Sequence, residues 1–527
     1  MLSLVLLGAL AQGIAAGPLS AADSFRERCA SFANSTTIPG AASYATQFVS
    51  AGTILQFPGA DSSCGRTSQT VTTDLCRLTA QIATSPRSGL KFEAWFPQNW
   101  TGRFLSTGNG GLGGCIQYED LDYASSLGFA TVATNNGHDG MSGASFLNNP
   151  DIIEDFAYRA LHTGVVVGKD VSKAFYGRAH TKSYYLGCST GGRQGFKEAQ
   201  AFPEDFDGIV AGAPAFSFNN LTSWSCHFLP LTGLEGADTF IPMAMWPTIH
   251  DDILKQCDVL DGVADGILEF PDLCDYKPDG LLCGVGNSTN CLTQKQIETL
   301  RGIYSPLLDA AGDLVYPRLQ PGAELTGAPQ TYFTGQAFGA ADWFRFAIFN
   351  DPNWDPLSLK PEDYVLSSTL NLFNIETFDG DLAPFQSRGG KILHYHGLVD
   401  GTISSDNSPR YYEHVSKTMG LEPAALDEFY RFFRISGMAH CGGGPGATFI
   451  GNQGQSAASL DPDENVLMAI VRWVEEGTAP EFVRGTAFVN GTKSAGVDFK
   501  RKHCRWPRRN VFQGGDHKDE NAWACVA

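Results

Sequence analysis

The 527 residues carry a formal charge of −19 at pH 7, and the pI is about 4.9. Nucleic acids and anionic membranes bind cationic protein faces, so this charge argues against both as partners. The 43% hydrophobic and 18% charged residues are typical of a globular protein. The length predicts one large domain with an insertion, or two domains.

The N-terminus predicts export. Leu2 to Leu10 is an almost uncharged apolar run, and small residues follow it up to Ala15-Ala16-Gly17. This pattern is typical of a secretory signal peptide, which we assign to residues 1–18 with cleavage roughly near residues 16–20. The run is shorter than the ~20 residues of a membrane span, so we expect a soluble, secreted protein.

Cysteines and glycosylation sequons agree with export. Thirteen cysteines in an exported chain predict disulfides, and the odd count leaves one cysteine unpaired. N-x-S/T sequons, which are compatible with glycosylation on a eukaryotic secretory route, occur at Asn34, Asn99, Asn220, Asn287 and Asn490.

Short apolar runs alternate with helical stretches, which predicts an α/β fold. The predicted strands are Lys91–Phe96, Arg103–Ser106, Ala130–Ala133, Ser183–Leu186, Gly208–Ala211, Lys391–Tyr395 and Glu428–Ile435. The predicted helices are Ile152–Phe175, a segment opened by Gly191-Gly192-Arg193, and Glu464–Glu476.

The alternation is lost between Ala215 and about Gly390, in a stretch rich in Pro, Asp, Gly and aromatic residues. Its large aromatic side chains call for burial, which argues against a disordered linker: Trp224, Trp246, Trp343, Phe344 and Trp354. We therefore predict a lid domain over residues 216–389. It is inserted into a catalytic domain formed by residues 19–215 and 390–527.

Gly187-Cys188-Ser189-Thr190-Gly191 follows the strand-like Tyr184-Tyr185-Leu186 and matches a G-x-S-x-G nucleophile elbow. In such an elbow, glycines permit a tight strand-to-helix turn that exposes the serine at its tip. Far downstream, Cys441 directly follows His440. If Cys188 and Cys441 pair, one disulfide ties the nucleophile to its base.

A serine hydroxyl needs an imidazole base and a carboxylate that orients the imidazole. In α/β-hydrolases the chain order is Ser, then Asp or Glu, then His. Asp400 follows a late predicted strand and His440 lies in a loop beyond it, so both fit this order.

Other residues compete for these two roles. Asp406 lies further past the strand than Asp400, and His138 precedes the serine, against the order of the fold. His394 and His396 lie within the predicted strand, where a core or supporting position is expected.

The oxyanion of the reaction needs two N–H donors. The fold predicts one from Thr190 and one from the loop after an early strand, for which the glycine-rich residues 106–114 are suited. A phosphate-binding loop is the competing interpretation, but no Lys-Ser/Thr follows these glycines.

An acidic turn at residues 257–267 suggests a cation site. Asp258, Asp261 and Asp265 place three carboxylates in eight residues, and the carbonyls of Val263 and Ile267 could complete an oxygen shell. Oxygen ligands of this kind suit Ca²⁺, here outside an EF-hand. The alternative is an acidic surface turn without metal. The distance from Ser189 in the chain favours a structural role.

Cys188-Ser189, Asp400 and His440-Cys441 together resemble the CS-D-HC signature of the fungal tannase/feruloyl esterase family. The likeness extends from about Cys29 to Cys525. It implies an α/β-hydrolase core with a large inserted lid, a Ser189–Asp400–His440 triad and a lid calcium held by the five residues of the acidic turn.

The resemblance also implies six disulfides and leaves Cys226 unpaired. The implied pairs are Cys29–Cys76, Cys64–Cys115, Cys188–Cys441, Cys257–Cys274, Cys283–Cys291 and Cys504–Cys525.

The resulting expectation is a secreted serine esterase that cleaves feruloyl or p-coumaroyl esters of plant cell-wall polysaccharide, with no organic cofactor. Phe228, Trp343 and Phe344 are candidates to line its acyl pocket, with an ordinary core position as the alternative for each. Two alternatives stay open: a tannase that acts on galloyl esters, and a non-catalytic, calcium-stabilised wall-binding protein. The sequence leaves the oligomeric state open.

Overall fold

The computed structural model describes residues 21–284 and 289–527. The predicted signal peptide and the Asn287 sequon lie outside these residues. Nine strands form one large sheet. They are β1 (Ala41–Val49), β2 (Leu75–Ala83), β3 (Gly89–Pro97), β4 (Arg103–Thr107), β5 (Phe129–Thr134), β6 (Lys182–Cys188), β7 (Gly208–Gly212), β8 (Lys391–Gly397) and β9 (Tyr430–Ile435).

The order across the sheet is β1-β2-β3-β5-β4-β6-β7-β8-β9. The pairings β1–β2, β2–β3 and β3–β5 are antiparallel, and the five pairings from β5 to β9 are parallel. The carboxyl ends of β6, β8 and β9 therefore meet at one edge, where ligands bind in open α/β sheets.

Ten α-helices in the described chain have nine residues or more. They are α1 (Ala21–Ser35), α2 (Tyr118–Ser126), α3 (Ala160–Tyr176), α4 (Thr190–Ala201), α5 (Phe218–Thr232), α6 (Trp246–Cys257), α7 (Gln294–Ile303), α8 (Pro361–Leu370), α9 (Asn407–Met419) and α10 (Val466–Glu476).

Helices cover both faces of the sheet. Successive strand residues point to opposite faces, so Ile209 packs in the cluster with α3, α4 and α9, while Val210 packs with α10. On β8, Ile392 packs in the same cluster as Ile209, and Leu393 packs in the same cluster as Val210. Strands buried on both faces need continuous apolar runs, which the sequence supplies. The α/β prediction is confirmed.

The seven predicted strands are all present. Six of them are longer by one to three residues, whereas the predicted Glu428–Ile435 begins two residues later, at Tyr430. The predicted helix Ile152–Phe175 is divided into a short helix (Pro150–Glu154), a π-helical turn (Asp155–Arg159) and α3. The wider turn presents the Ala157 and Phe156 carbonyls to the buried guanidinium of Arg193, which donates to them at 2.9 and 3.2 Å.

Two further groups of strands extend the fold beyond the predicted elements. Strands β1 and β2 form the antiparallel edge of the sheet. After α10, two antiparallel hairpins follow, β10 (Phe482–Phe488) with β11 (Val497–Cys504) and β12 (Arg509–Phe512) with β13 (Trp523–Val526).

The chain between β7 and β8 contributes no strand to the large sheet in its described part. It carries α5 to α8 and buries Trp224, Trp246, Trp343 and Phe344, whereas Trp354 is half-buried. These side chains share one cluster with Phe146 and Phe156, which precede β6. The segment is therefore packed, and the domain division at residues 216 and 389 stays a prediction.

Six disulfides connect the pairs that the family resemblance implies, and Cys226 is the buried free cysteine. Five of the bridges span at most 51 residues, whereas Cys188–Cys441 spans 253. In the part of the chain that the structure describes, no helix is both long and apolar enough to cross a bilayer.

Close packing of α4 against β7 predicts a strict requirement for glycine at position 192. A Cβ there would lie 2.2 Å from the Gly212 carbonyl oxygen and 2.9 Å from Pro214 Cα. Gly192→Ala should therefore lower the free energy of unfolding by roughly 1–3 kcal/mol, as overpacking does. Urea unfolding followed by fluorescence measures this change.

Gly59→Ala is the matched control, because a Cβ at Gly59 meets nothing within 4 Å. Equal unfolding midpoints for the two variants would contradict the packing argument.

Candidate active site

Ser189 occupies the turn between β6 and α4 with φ 66° and ψ −124°. Left-handed φ values are rare for non-glycine residues and persist only where neighbours hold them. Here the Ser189 N–H donates to the Gly212 carbonyl at 2.9 Å, and the Ala215 N–H donates to the Ser189 carbonyl at 3.1 Å. Strand β7 and its loop thus fix the elbow.

The glycines of the elbow are required because a larger side chain would not fit at their positions. A Cβ on Gly187 would lie 2.7 Å from the Gly191 carbonyl oxygen, and one on Gly191 would lie 3.0 Å from the Asn109 carbonyl oxygen. The motif therefore brings the 106–114 loop within contact of the turn that carries Ser189.

Asp400 lies three residues beyond β8 and is fully buried. Its Oδ1 accepts the backbone N–H groups of Thr402 and Ile403 at 2.7 and 2.9 Å. Its Oδ2 lies 2.7 Å from His440 Nδ1 and 3.1 Å from His396 Nε2. Burial opposes ionisation, but the charge of His440 and the bonds from both imidazoles hold the pKa of Asp400 well below its usual range.

His440 follows β9 in a half-buried loop and lines one cavity together with Ser189. The Cys188–Cys441 disulfide joins the residues next to them, with 6.0 Å between the two Cα atoms. Cys441 has φ 62°, so the loop turns sharply at this bridge. The structure thus brings Ser189, Asp400 and His440 to one edge of the sheet.

His396 continues the contacts of Asp400 into the core. His396 Nδ1 lies 2.6 Å from Ser408 Oγ, which lies 2.9 Å from His394 Nε2, and His394 Nδ1 lies 2.8 Å from the Tyr430 hydroxyl. Each group in this chain can donate to the next one, from the Tyr430 hydroxyl towards Asp400. Every ring nitrogen of His394 and His396 then has a hydrogen-bond partner while both imidazoles are neutral. Burial also lowers the pKa of His394, in agreement with a neutral ring.

The competing residues lie elsewhere. His138 is buried between Phe146 and Phe156, with its Nε2 2.8 Å from the Leu112 carbonyl oxygen. Asp406 is the half-buried residue that precedes α9. Asp400, not Asp406, contacts His440.

The glycine-rich loop supplies free donors beside Ser189. Thr190 Oγ1 donates to the Gly111 carbonyl at 2.6 Å and so fixes the loop against the elbow. The N–H groups of Gly108 and Asn109 have acceptors within the protein. Within residues 21–284 and 289–527, those of Gly110 and Gly111 have none, and both glycines line the cavity with Ser189.

An apolar pocket of about 290 Å³ opens on Ser189. The candidate liners Phe228, Trp343 and Phe344 do not line it; all three take the alternative core position and are fully buried in one cluster. The side chains that form its apolar wall are Leu112, Met141, Phe218, Leu221, Phe338 and Ile403. No sequence signal distinguishes these residues from ordinary core residues.

A second cavity, the polar cleft, also reaches Ser189. It also has a volume of about 290 Å³ and, unlike the apolar pocket, is lined by His440. The side chains that define the polar cleft are Arg66, Gln117, Asp120, Asn452 and Gln453.

The acidic turn after α6 contains carboxylate oxygens without donors. Asp258 Oδ2 accepts from the Gly266 N–H and Asp261 Oδ1 from the Val263 N–H, both at 3.0 Å. The other oxygens, Asp258 Oδ1 and Asp261 Oδ2, are buried and have no partner among the described residues. Burial, more than the neighbouring negative charges, raises the pKa of Asp261 to about 7.

Asp265 completes this group. Its Oδ1 accepts the Ile267 N–H at 3.1 Å, and its Oδ2 lies 3.4 Å from Arg501. The three carboxylates do not gather within 4.8 Å of one another among the described residues.

His162, Glu198 and Asp205 form a tighter cluster, with ligand atoms within 4.8 Å of one another. The Lys169 ammonium lies 3.7 Å from Asp205 Oδ1, so a positive charge already faces these carboxylates. His162 Nδ1 is 2.7 Å from Asp205 Oδ2, as in a hydrogen bond.

Of the sequon asparagines, Asn34, Asn99 and Asn490 are exposed. Asn220 is half-buried on α5, and its amide oxygen accepts from Ser368 Oγ at 2.6 Å.

Comparison with known proteins agrees with the geometry. The family profile described as "Tannase and feruloyl esterase" matches residues 76–526. A "Probable feruloyl esterase B-2" of Aspergillus terreus is 54% identical over 511 residues, 96% of this chain and 97% of that protein.

Solved structures resemble the fold over almost its full length. The crystal structure of feruloyl esterase B from Aspergillus oryzae has a TM-score of 0.93 at 50% identity, covering 95% of this chain and all of that one. A tannin acyl hydrolase from Aspergillus niger, with a TM-score of 0.74 at 23% identity over 97% and 96% of the chains, shares the fold. The chain belongs to the tannase and feruloyl esterase family.

Proposed function

We propose that this protein is a secreted serine esterase that hydrolyses hydroxycinnamoyl esters, such as feruloyl and p-coumaroyl groups on plant cell-wall polysaccharide. The observation that carries the proposal is that Ser189 lines one cavity with His440, which contacts Asp400, and also opens on an apolar pocket. Family membership and the names of the relatives support the same activity.

In the proposed acylation step, His440 takes the Ser189 proton while Oγ attacks the ester carbonyl. Asp400 holds the Nδ1–H tautomer of His440 and stabilises the imidazolium that forms. The N–H of Thr190 and those of Gly110 and Gly111 are the donors for the oxyanion. The imidazolium then protonates the departing alkoxide, which leaves the acyl group on Ser189.

Deacylation repeats these steps with water. His440 removes a proton from the water molecule, which attacks the acyl-enzyme carbonyl. The tetrahedral intermediate collapses, Ser189 Oγ recovers its proton from His440, and the hydroxycinnamic acid leaves. No organic cofactor takes part in this proposal.

The apolar pocket favours hydroxycinnamoyl over galloyl groups. Its walls offer few polar partners, and the Tyr332 hydroxyl already donates to the Thr402 carbonyl at 2.5 Å. A galloyl ring would bury three phenolic hydroxyls there, and each unpaired hydroxyl costs roughly 1–3 kcal/mol. A feruloyl ring carries one such hydroxyl.

Residues 216–389 are proposed to form a lid domain over a catalytic domain of the α/β-hydrolase type, built from residues 19–215 and 390–527. The segment supplies Phe218, Leu221 and Phe338 to the pocket wall, whereas Ser189, Asp400 and His440 follow sheet strands. The catalytic groups are thus on the core and much of the pocket wall is on the lid.

The acidic turn is proposed to bind a structural Ca²⁺ through Asp258, Asp261 and Asp265 and the carbonyls of Val263 and Ile267. Two buried carboxylate oxygens that lack donors fit a hard cation. The turn lies in the inserted segment and is bridged by Cys257–Cys274. The ion would neutralise buried negative charge there and takes no part in the chemistry.

Secretion rests on the apolar N-terminal run and on the six disulfides, which persist in oxidising compartments. The exposed sequons at Asn34, Asn99 and Asn490 are proposed glycosylation sites, together with Asn220 and Asn287.

Activity on model esters tests the proposed function. Methyl ferulate and methyl p-coumarate should be hydrolysed faster than methyl gallate, because the pocket lacks partners for three phenols. Ser189→Ala should lower kcat by ~10⁴-fold or more, since the nucleophile is lost. Initial rates by chromatography of the released acids measure both effects.

Ser62→Ala serves as the control, because this exposed serine lies in a surface turn. A preference for gallate would assign the protein to tannases. Full activity of Ser189→Ala would exclude the mechanism and favour a non-catalytic, wall-binding role.

The Cys188–Cys441 bridge predicts a specific effect on catalysis. Cys188→Ala with Cys441→Ala removes a link worth about 5 kcal/mol in the loop-entropy model. The double variant should lose most of its kcat, because the loop that carries His440 is no longer fixed beside the elbow. Rates are measured per folded protein, as determined by circular dichroism.

Cys504→Ala with Cys525→Ala is the matched control, since this bridge joins β11 and β13. Near-normal turnover by folded Cys188→Ala/Cys441→Ala protein would show that the bridge stabilises the fold without positioning the triad.

Removal of Ca²⁺ should lower stability. Chelation with EGTA is expected to lower the Tm by roughly 5 °C, because buried carboxylates lose their counter-charge. Added Ca²⁺ should restore the Tm. Asp261→Asn should remove this response, whereas Asp275→Asn, at a carboxylate 82% exposed, should keep it. Identical Tm values with and without chelator would contradict the calcium proposal.

A further inference from the structure

The two cavities at Ser189 differ in what they present to the two halves of an ester. The apolar pocket accepts the aromatic acyl group, on the proposed function. The leaving oxygen must face His440, because this imidazole protonates it. His440 lines the polar cleft and not the apolar pocket, so the alcohol half of the ester lies in the polar cleft.

Two buried acceptor groups line the polar cleft. Asp120 is 5% exposed and Asn452 is 2% exposed. The Oδ1 atom of each has no hydrogen-bond partner within residues 21–284 and 289–527. Buried polar atoms are nearly always paired in native proteins, so unpaired ones in a binding cleft indicate a ligand that brings donors.

The hydrogen bonds of its amide nitrogen fix the orientation of the Asn452 side chain. Its Nδ2 donates to the Tyr395 hydroxyl at 2.7 Å and to the Cys441 carbonyl at 2.8 Å. The amide therefore cannot turn without losing both bonds, and Oδ1 stays an acceptor beside the loop that carries His440.

Gln117 supplies the complementary group. Its Oε1 accepts from Arg66 at 2.9 Å, which leaves its amide nitrogen as a donor. This nitrogen lies 3.6 Å from the position of a Cβ on Gly110, at the rim of the polar cleft. Arg66 itself is bound to Glu119 through contacts of 2.6–2.9 Å, so its charge is already balanced.

Two acceptors and one donor around a small cleft match a polyol. Each sugar hydroxyl can donate one hydrogen bond and accept others. A methyl or other alkyl alcohol would leave Asp120 and Asn452 unpaired.

We propose that Asp120, Asn452 and Gln117 form a sugar subsite that binds the alcohol half of the ester through its hydroxyl groups. The inference rests on the proposed function and deepens it, because it assigns the residues that bind the leaving group and select a sugar over a simple alcohol. A wider cavity of about 560 Å³ shares His440, Cys441 and Gln453 with the polar cleft. It gives room for the next sugar of an oligosaccharide.

The test compares two substrates with the same acyl group. One is methyl ferulate, and the other is ferulate esterified to arabinose. Burial, more than the neighbouring charge of Glu119, raises the pKa of Asp120 to about 7, so the rates are compared at a pH above that value. Asp120→Asn should then lower the ratio of kcat/KM for the sugar ester to that for the methyl ester by about tenfold or more, since a bond to a charged acceptor is weakened. Gln117→Ala, at a half-buried position, should lower the ratio in the same direction.

Asp122→Asn is the matched control. Asp122 lies on the same helix and is 7% exposed, but its carboxylate accepts from Thr72. Its substrate ratio should stay within about twofold of the parent value. Unchanged ratios in both Asp120→Asn and Gln117→Ala would overturn the sugar subsite while the esterase proposal stands.

A binding measurement separates failure of the subsite from failure of the proposed function. Calorimetric titration of Ser189→Ala with feruloyl-arabinose should give tighter binding than methyl ferulate, and adding Asp120→Asn should remove the difference. If the parent protein hydrolyses no ester, the proposed function fails. Equal binding of both ligands by Ser189→Ala would overturn the subsite.

Discussion

The ionised carboxylate of Asp400 is the constraint on which the reactive edge of the sheet depends. It is fully buried. It accepts hydrogen bonds from two backbone N–H groups of its own turn and from the imidazoles of His396 and His440. An uncompensated buried charge costs several kcal/mol, so these four donors must keep their places together. The turn after β8, the side chain of His396 and the loop of His440 are thereby held as one unit. His396 in turn is held by the Ser408 contact inside the core.

The second constraint joins strands that are not neighbours. β6 and β9 are separated by β7 and β8, so they stand about 14 Å apart at ~4.8 Å per strand. The Cα atoms of Cys188 and Cys441 are only 6.0 Å apart. The loop after β9 must therefore fold back across the end of β8, directly above Asp400. The disulfide closes this path, while β7 holds Ser189 in its left-handed conformation.

Much of this arrangement was predictable from sequence, because it depends on local patterns. Strands buried on both faces need continuous apolar runs, and the G-x-S-x-G pattern around Ser189 is contiguous in the chain. The edge strands β1 and β2 mix exposed and buried residues, so they lack such a run. Asp120 and Asn452 meet in one cleft although they are 332 positions apart, and only the fold brings them together. The aromatic residues of the inserted segment could not be divided into core and pocket, since both environments select the same side chains.

The cluster that unites Trp343 with Phe146 and Phe156 has a consequence for how substrate arrives. Polar bonds reinforce it, because Asp342 accepts from Ser142 and Gly143, and Asn350 pairs with Asn148. Swinging the inserted segment away would expose this cluster to water at roughly 25 cal/mol per Å² of apolar surface. The segment therefore behaves as a fixed wall of the site, not as a hinged cover. A bulky polymer must present its ester groups at an entrance that is already open, and turnover does not wait for a domain to move.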